Sequence, residues 1–347
     1  MTHVYGVLAM PQGDLASKQA IKTAGCTHTV IVANWAQLQP NGPGTALDST
    51  QLALLNTDFS QAKSVGLKVM FEFAIHYAPS WALTGVNAIE SFVDQNAVTY
   101  NGASAASGKQ VANWMWTTLG RTYVQDFVNK VGAGIGALNL QYIDAIKTGG
   151  GYYGEVHYPP ANSGTGNSFQ GFSASMQSGT GLASDQVICP LPGYIPFNGG
   201  SDANDSIWIN WYIDGLVTWV KAFIAMQRTA GFTADFHVCC PGYGIRSNNL
   251  HSDAGYRQSA ALGEDPVRVI AYTATDSRVW PYGTWLDTSD GFPGGTNDTD
   301  MAAWKKVYGE SYVRNKYFRL WGENTGGENA AGLQSIFSGY QYGSALS

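Results

Sequence analysis

MPQGDL, Met10–Leu15, joins the first apolar run of the chain to its first amphipathic segment, and the spacing of glycine in it decides the fold. The run before it, HVYGVLAM over His3–Met10, reads as a strand. DLASKQAIKTAG over Asp14–Gly25 reads as a helix with an acidic start and a glycine stop. A second strand follows at His28–Trp35 (HTVIVANW). In the next segment Leu52, Leu55, Phe59, Ala62 and Val65 recur on one helical face, and a third strand occupies Lys68–Tyr77. Strand-helix alternation with apolar strands implies a parallel sheet covered by helices, and two architectures satisfy that: a doubly wound sheet and a closed barrel. A doubly wound nucleotide fold advertises G-x-G-x-x-G directly after its first strand. MPQGDL holds a single glycine, so the expectation is an α/β fold of the (β/α)8 TIM-barrel type, one domain over residues 1–347.

The alternation continues outward. A helix is expected at Val111–Gly132, a fourth strand at Leu138–Ile146, and then a long Gly/Ser/Asn/Pro-rich segment over Ala161–Asp205. Trp208, Tyr212, Gly215, Trp219, Ala222 and Met226 mark a long helix that leads to strand five at Phe232–Cys240. A short helix at Tyr256–Leu262 precedes strand six at Val267–Thr275. After a loop and a helix at Met301–Asn315, strand seven takes Lys316–Asn324. Beyond a seventh helix in Asn329–Gly343 only SALS remains, so no eighth strand is legible. Truncation is the preferred explanation, because an open barrel exposes an unpaired edge.

Composition narrows the partners. Charged residues are 13% of the chain, whereas there are 42 Gly, 11 Trp and 19 Tyr; long loops and aromatic surfaces of this kind suit flat, uncharged ligands such as sugars. A net charge of -6 without any Lys/Arg cluster argues against nucleic acid and against an anionic membrane. The first residues lack the basic start of a signal peptide, and no apolar run approaches the ~20 residues of a membrane span. The Lys-poor, Gly/Ser/Asn-rich balance fits extracellular or virion-associated use. Cys26, Cys189, Cys239 and Cys240 lack the spacing of a disulfide framework or a zinc site and read as free thiols.

Two carboxylates stand at expected strand ends. Glu155 lies in GGGYYGEVHYP, Gly149–Pro159, after strand four, and Glu323 lies in LWGENTGGEN at the end of strand seven. Strands four and seven face each other across a barrel mouth, so the pair can flank a bound sugar as acid-base attack on a glycosidic bond requires. The glycines around Glu155 allow a sharp turn and close approach to a ligand, and Tyr152, Tyr153 and His157 supply rings that exclude water and favour a protonated carboxyl. Glu323 shares its side of the strand with Arg319 and Trp321, and an arginine there favours the ionised form.

GEVHYP, Gly154–Pro159, resembles the G-E-x-x-Y-P segment that follows strand four in β-amylases, where the glutamate is the general acid. The placement of both glutamates is similar to that in the large clan of (β/α)8 glycosidases that includes many β-galactosidases, although Gly154 stands where that clan has an asparagine. The resemblance implies a glycoside hydrolase with Glu155 as acid or acid/base and Glu323 as nucleophile or base. β-Amylases invert configuration and the clan retains it; both outcomes stay open, with retention preferred.

Further sugar contacts are expected from Glu72 and His76 on strand three, Trp81, Tyr153, His157, Tyr272 at the end of strand six, Trp280 in the loop after it with Tyr282 and Trp285, and Trp321. A Glu72–Arg319 ion pair inside the barrel competes with the sugar-binding role of Glu72. Asp287, Asp290, Asp298 and Asp300 cluster without EF-hand spacing, so no metal is expected, and glycoside hydrolysis needs no cofactor. The expected partner is a neutral oligo- or polysaccharide. The competing expectation is a non-catalytic carbohydrate-binding module, such as an adhesin or virus-tail barrel.

Overall fold

The computed structural model describes residues 6–7, 12–100, 111–161, 168–240, 257, 260–283 and 321–322. Among these, seven parallel strands form one sheet in the order of the chain: β1 (Gly6–Val7), β2 (His28–Asn34), β3 (Lys68–Ala74), β4 (Ile143–Thr148), β5 (Asp235–Cys240), β6 (Val279–Gly283) and β7 (Trp321–Gly322). A doubly wound sheet reverses direction at a switch point. Here the order runs from β1 to β7 without reversal, which is how a (β/α)8 barrel is laid down.

Alternation along β3 divides the core. Val69, Phe71 and Phe73 point outward into a large apolar layer beneath the helices, where Phe71 and Phe73 meet Phe232 at 5.4 and 5.0 Å between ring centroids. Met70 points inward and packs with Val30, Ala145, Cys239 and Tyr282 in a smaller apolar plug within the sheet's curve. Two covering helices show why they form where they do. In α3 (Ser49–Val65), Asp48 caps the start by accepting from the Gln51 amide at 2.9 Å, and Gly66 ends it in the left-handed region at φ 69. The 28-residue α8 (Asp202–Thr229) buries Trp208, Tyr212, Trp219 and Phe223 on one face. Gly215 interrupts that face because a β-carbon there would stand 2.0 Å from the Trp116 ring. α1 (Leu15–Thr23) and α2 (Trp35–Leu38) precede α3, and α4 (Ser80–Leu83), α5 (Thr118–Ile135), α6 (Ala137–Leu140) and α7 (Ala174–Ser178) lie between α3 and α8.

At the N-terminal end of the strands, Asp144 accepts from His28 Nε2 and from Lys68 Nζ, both at 2.9 Å. The His28 bond, joined by the Lys68 ammonium, outweighs partial burial and holds the carboxyl down at about 2.

Strand six differs from expectation. Val267–Thr275 is not a strand: Pro266–Thr273 forms helix α9, started by Asp265, whose carboxylate accepts from the Arg268 amide at 3.2 Å, with Pro266 in the first turn. Val269, Ile270 and Thr273 form its buried face, a helical spacing. The sixth strand is Val279–Gly283, part of the stretch read as a loop. Strand four also runs two residues further than expected, to Thr148, with Ala137–Leu140 in a helical turn before it. The expected helices at Met301–Asn315 and Asn329–Gly343 and any eighth strand lie outside the described residues. All four cysteines are free thiols, with Cys26 partly exposed and the other three buried. No described helix is long and apolar enough to cross a membrane.

Candidate active site

The C-terminal ends of β3, β4 and β5 carry the candidate site, and the segment Gly149–Tyr158 closes over it. This loop is folded on itself. The Gly151 amide donates to Glu155 O at 2.9 Å, the Tyr152 amide to His157 O at 3.1 Å, and the Glu155 amide to Tyr152 O at 3.1 Å. A β-carbon on Gly149 would stand 2.3 Å from Gly154 O, and one on Gly151 would stand 2.3 Å from Glu155 O and 2.5 Å from His157 O. Gly149 and Gly151 thus serve the sharp turn expected of them, by letting the loop approach its own carbonyls.

Outside bonds fix the loop to its surroundings. The buried indoles of Trp114 and Trp219 donate to Gly150 O at 3.0 Å and Gly149 O at 3.2 Å. The Val156 amide donates to Cys239 O at the end of β5 at 3.2 Å, and the Tyr158 amide to Leu262 O at 2.8 Å.

Glu155 is only 9% exposed. Its Oε2 lies 3.5 Å from His157 Nε2, and His157 Nδ1 lies 3.0 Å from Tyr158 O. Donation from Nδ1 to that carbonyl leaves Nε2 to present a lone pair to a protonated Glu155, or a second proton to an ionised one. Burial pushes the Cys240 thiol up to about 12, and the nearby Glu155 carboxylate adds to the rise. Tyr153, directly before the Gly154–Glu155 pair, adopts φ 59, a left-handed conformation that costs a bulky residue strain, and stands 42% exposed at the rim. Its ring is nearly parallel to that of His157 (23°, centroids 6.5 Å apart) and edge-on to Tyr152 at 4.3 Å.

Beneath Gly154 lie Glu72 and His76 from β3 and the turn after it. A β-carbon on Gly154 would stand 3.0 Å from Glu72 Oε1 and 3.3 Å from the His76 ring. Partial burial, with Glu72 and Tyr153 as neighbours, pushes the Tyr77 hydroxyl up. Glu72 pairs with Lys147 of β4, Oε2 to Nζ 3.5 Å, in register across the two strands. Lys147 lies one residue past Ile146, where the sequence pattern places the end of strand four, so that pattern does not mark it. Alternation carried on from Ala145 would have found it.

Glu72, His76, Tyr153, Glu155 and His157 are therefore brought together, and three expected contacts are not. Trp81, in α4, packs edge-on between Trp35 and Tyr123 and donates its indole N–H to Gln39 O at 2.8 Å. Tyr272 lies on α9, where its ring receives Lys221 Nζ of α8 at 5.3 Å from its centroid. Trp280 sits on β6 and donates to Asp235 Oδ2 at 3.2 Å, at the first residue of β5 and so at the end of the barrel opposite the loop. Tyr282 belongs to the interior plug. Trp321 lies on β7; Glu323, next but one in sequence, lies outside the described residues, as do Arg319, Trp285 and the Asp287–Asp300 cluster. Among the described residues no group of three or more His, Cys, Asp or Glu is arranged to hold a metal.

The chain matches the catalytic domain of β-amylase from Paenibacillus polymyxa with a TM-score of 0.73 at 19% identity, over 98% of this chain and 89% of that one. Its fold is a (β/α)8 barrel. The same barrel is found in β-galactosidases from the psychrophilic Marinomonas ef1 (TM-score 0.55, 12% identity, 85% of this chain) and from Rahnella sp. R3 (0.51, 10%, 84%). The chain spans 43% and 40% of the lengths of those two proteins. No protein-family model and no curated protein matches the sequence. Glu155 follows β4 and so stands at the C-terminal end of the strands, the end at which TIM barrels hold their active sites.

Proposed function

We propose that the chain is a glycoside hydrolase that cleaves O-glycosidic bonds in a neutral oligo- or polysaccharide, with Glu155 as general acid and Glu323 as nucleophile or base. One observation carries this reading: a self-bonded loop holds Glu155, 9% exposed, at the C-terminal mouth of the barrel with the His157 imidazole 3.5 Å from its carboxyl. The barrel shared with a β-amylase catalytic domain and the GEVHYP segment support it.

In this reaction Glu155 passes its proton to the glycosidic oxygen as the bond from that oxygen to the anomeric carbon breaks. The second carboxylate, on the other face of the ring, attacks that carbon or takes a proton from an attacking water. Glu323 follows β7 in the sequence, three strands on from β4, which suits the second role. A separation of about 5–5.5 Å between the two carboxyls gives retention, and about 6.5–9.5 Å gives inversion. Tyr153 stacks on a sugar face at the rim, while His76 and His157 bind hydroxyls. No cofactor enters this chemistry.

The test is incubation with a panel of neutral glycans, with reducing ends measured and the first anomer released read by proton NMR. Release by the wild type and its loss in Glu155→Gln and Glu323→Gln support the reading. Binding without release assigns the chain to the carbohydrate-binding barrels instead.

A further inference from the structure

Below the mouth, the barrel interior described by Val30, Met70, Ala145, Cys239 and Tyr282 is apolar. Two charged side chains stand on top of this plug. Glu72 and Lys147 are 12% and 9% exposed and 3.5 Å apart. Taking both out of water is costly, and a packed apolar pair of similar volume would hold the barrel as well or better. The Tyr282 ring, 5.8 Å from Lys147 Nζ, offsets only a small part of that cost. Stability does not explain the pair.

Its contacts do. Glu72 presents Oε2 to Lys147 and Oε1 to Gly154, the residue before Glu155, where even a β-carbon would come within 3.0 Å. Gly154 is held in the left-handed region at φ 78, so the Glu155 main chain leaves this seat in a fixed direction. We infer that Lys147 and Glu72 are positioning residues for the general acid: Lys147 fixes the Glu72 carboxylate as the seat of Gly154, and the seat sets where the Glu155 carboxyl meets the glycosidic oxygen. This rests on the assignment of Glu155 proposed above. Without the ammonium, the carboxylate turns toward water and the seat is lost.

A misplaced acid harms only the step that needs its proton. Departure of 2,4-dinitrophenolate needs none, whereas departure of an alcohol does. The experiment compares the methyl and 2,4-dinitrophenyl glycosides of the sugar released from the glycan panel. Glu72→Gln and Lys147→Met should lower kcat/KM, which reports bond cleavage and not the later base-assisted hydrolysis, by roughly 100-fold for the methyl glycoside and leave it within about 3-fold for the dinitrophenyl glycoside, and Lys147→Arg should restore most of the loss. The charge-free double variant Glu72→Leu/Lys147→Met should fold with undiminished stability and show the same selective loss, which a purely structural pair would not. Equal losses on both glycosides overturn the inference. So does a crystal structure of Glu72→Gln with Glu155 unmoved, an arm that needs no substrate and that the isosteric variant keeps available if Lys147→Met fails to fold. Should Glu155→Gln itself lack the leaving-group dependence, the acid assignment falls instead, and the two failures are told apart.

Discussion

The indole N–H of Trp219, on α8, donates to the carbonyl of Gly149 at 3.2 Å and so ties a helix of the outer layer to the root of the loop that carries Glu155. Trp219→Phe keeps an aromatic ring against Phe223, with which the indole is stacked at 5.2 Å, but removes the donor. Denaturant unfolding should show a loss of about 1–3 kcal/mol, the cost of leaving a buried carbonyl unsatisfied. An unchanged midpoint with an unchanged slope would show that the bond carries no weight.

Gly151→Ala meets two carbonyls at once, Glu155 O at 2.3 Å and His157 O at 2.5 Å, and neither is the end of a flexible side chain. The loop must open to admit the methyl group. The expected cost is about 1–3 kcal/mol, with turnover falling far more than that of a Gly85→Ala control, whose β-carbon would meet nothing within 4 Å. Gly85 itself has φ 83, so the control carries backbone strain without the clash. Equal turnover in the two variants would separate the loop's closure from its chemistry.

Glu155→Gln preserves shape and removes the transferable proton. Turnover of unactivated glycosides should fall by roughly 10²–10⁴-fold with circular dichroism and melting temperature little changed. Full activity in this variant would remove Glu155 from the mechanism.

Asp144 gives a dependence on pH. Its carboxyl is held at about 2, below the ordinary 3.8, so it contributes stability that is fully present above about pH 4 and is lost as pH falls toward 2. The side chain is 34% exposed, and solvent screening limits the contribution to about 1 kcal/mol. Asp144→Asn should therefore be least stable relative to wild type near neutral pH, with the deficit narrowing through the acid range. Unfolding curves at pH 2, 3, 4 and 7 measure this, and a constant deficit would contradict it.

Legibility in the sequence followed the physics of each element. β2, β3 and β5 stand out as apolar runs because a strand buried on both faces has no polar side to show. Strand six was misplaced for two reasons that compound. VRVIAYT is rich in β-branched residues, yet Asp265 and Pro266 before it are the cap and first-turn residue of a helix. The true strand, VWPYG, contains Pro281, which lacks the amide a ladder uses and so disguises it.

For the candidate site, Glu155 stands out in the sequence because one carboxylate among glycines and rings is unusual in a chain this poor in charge. The carbonyls that its glycines approach do not, since close approach of a loop to its own carbonyls is a tertiary fact. Trp280 and Tyr272 misled because an aromatic residue near a strand end reads the same whether it faces the mouth, the opposite end or an outer helix. Lys147 hinged on two residues of strand length.

The bonds from Val156 to Cys239 and from Tyr158 to Leu262 anchor the loop that carries Glu155 to parts of the chain distant from it in sequence. Under the proposed function, an engineer who swaps the rim excursions to admit a new carbohydrate can therefore leave the mounting of Glu155 untouched. Retargeting and turnover become separable design problems in this scaffold, provided that the graft spares those two anchor points and the indoles behind them.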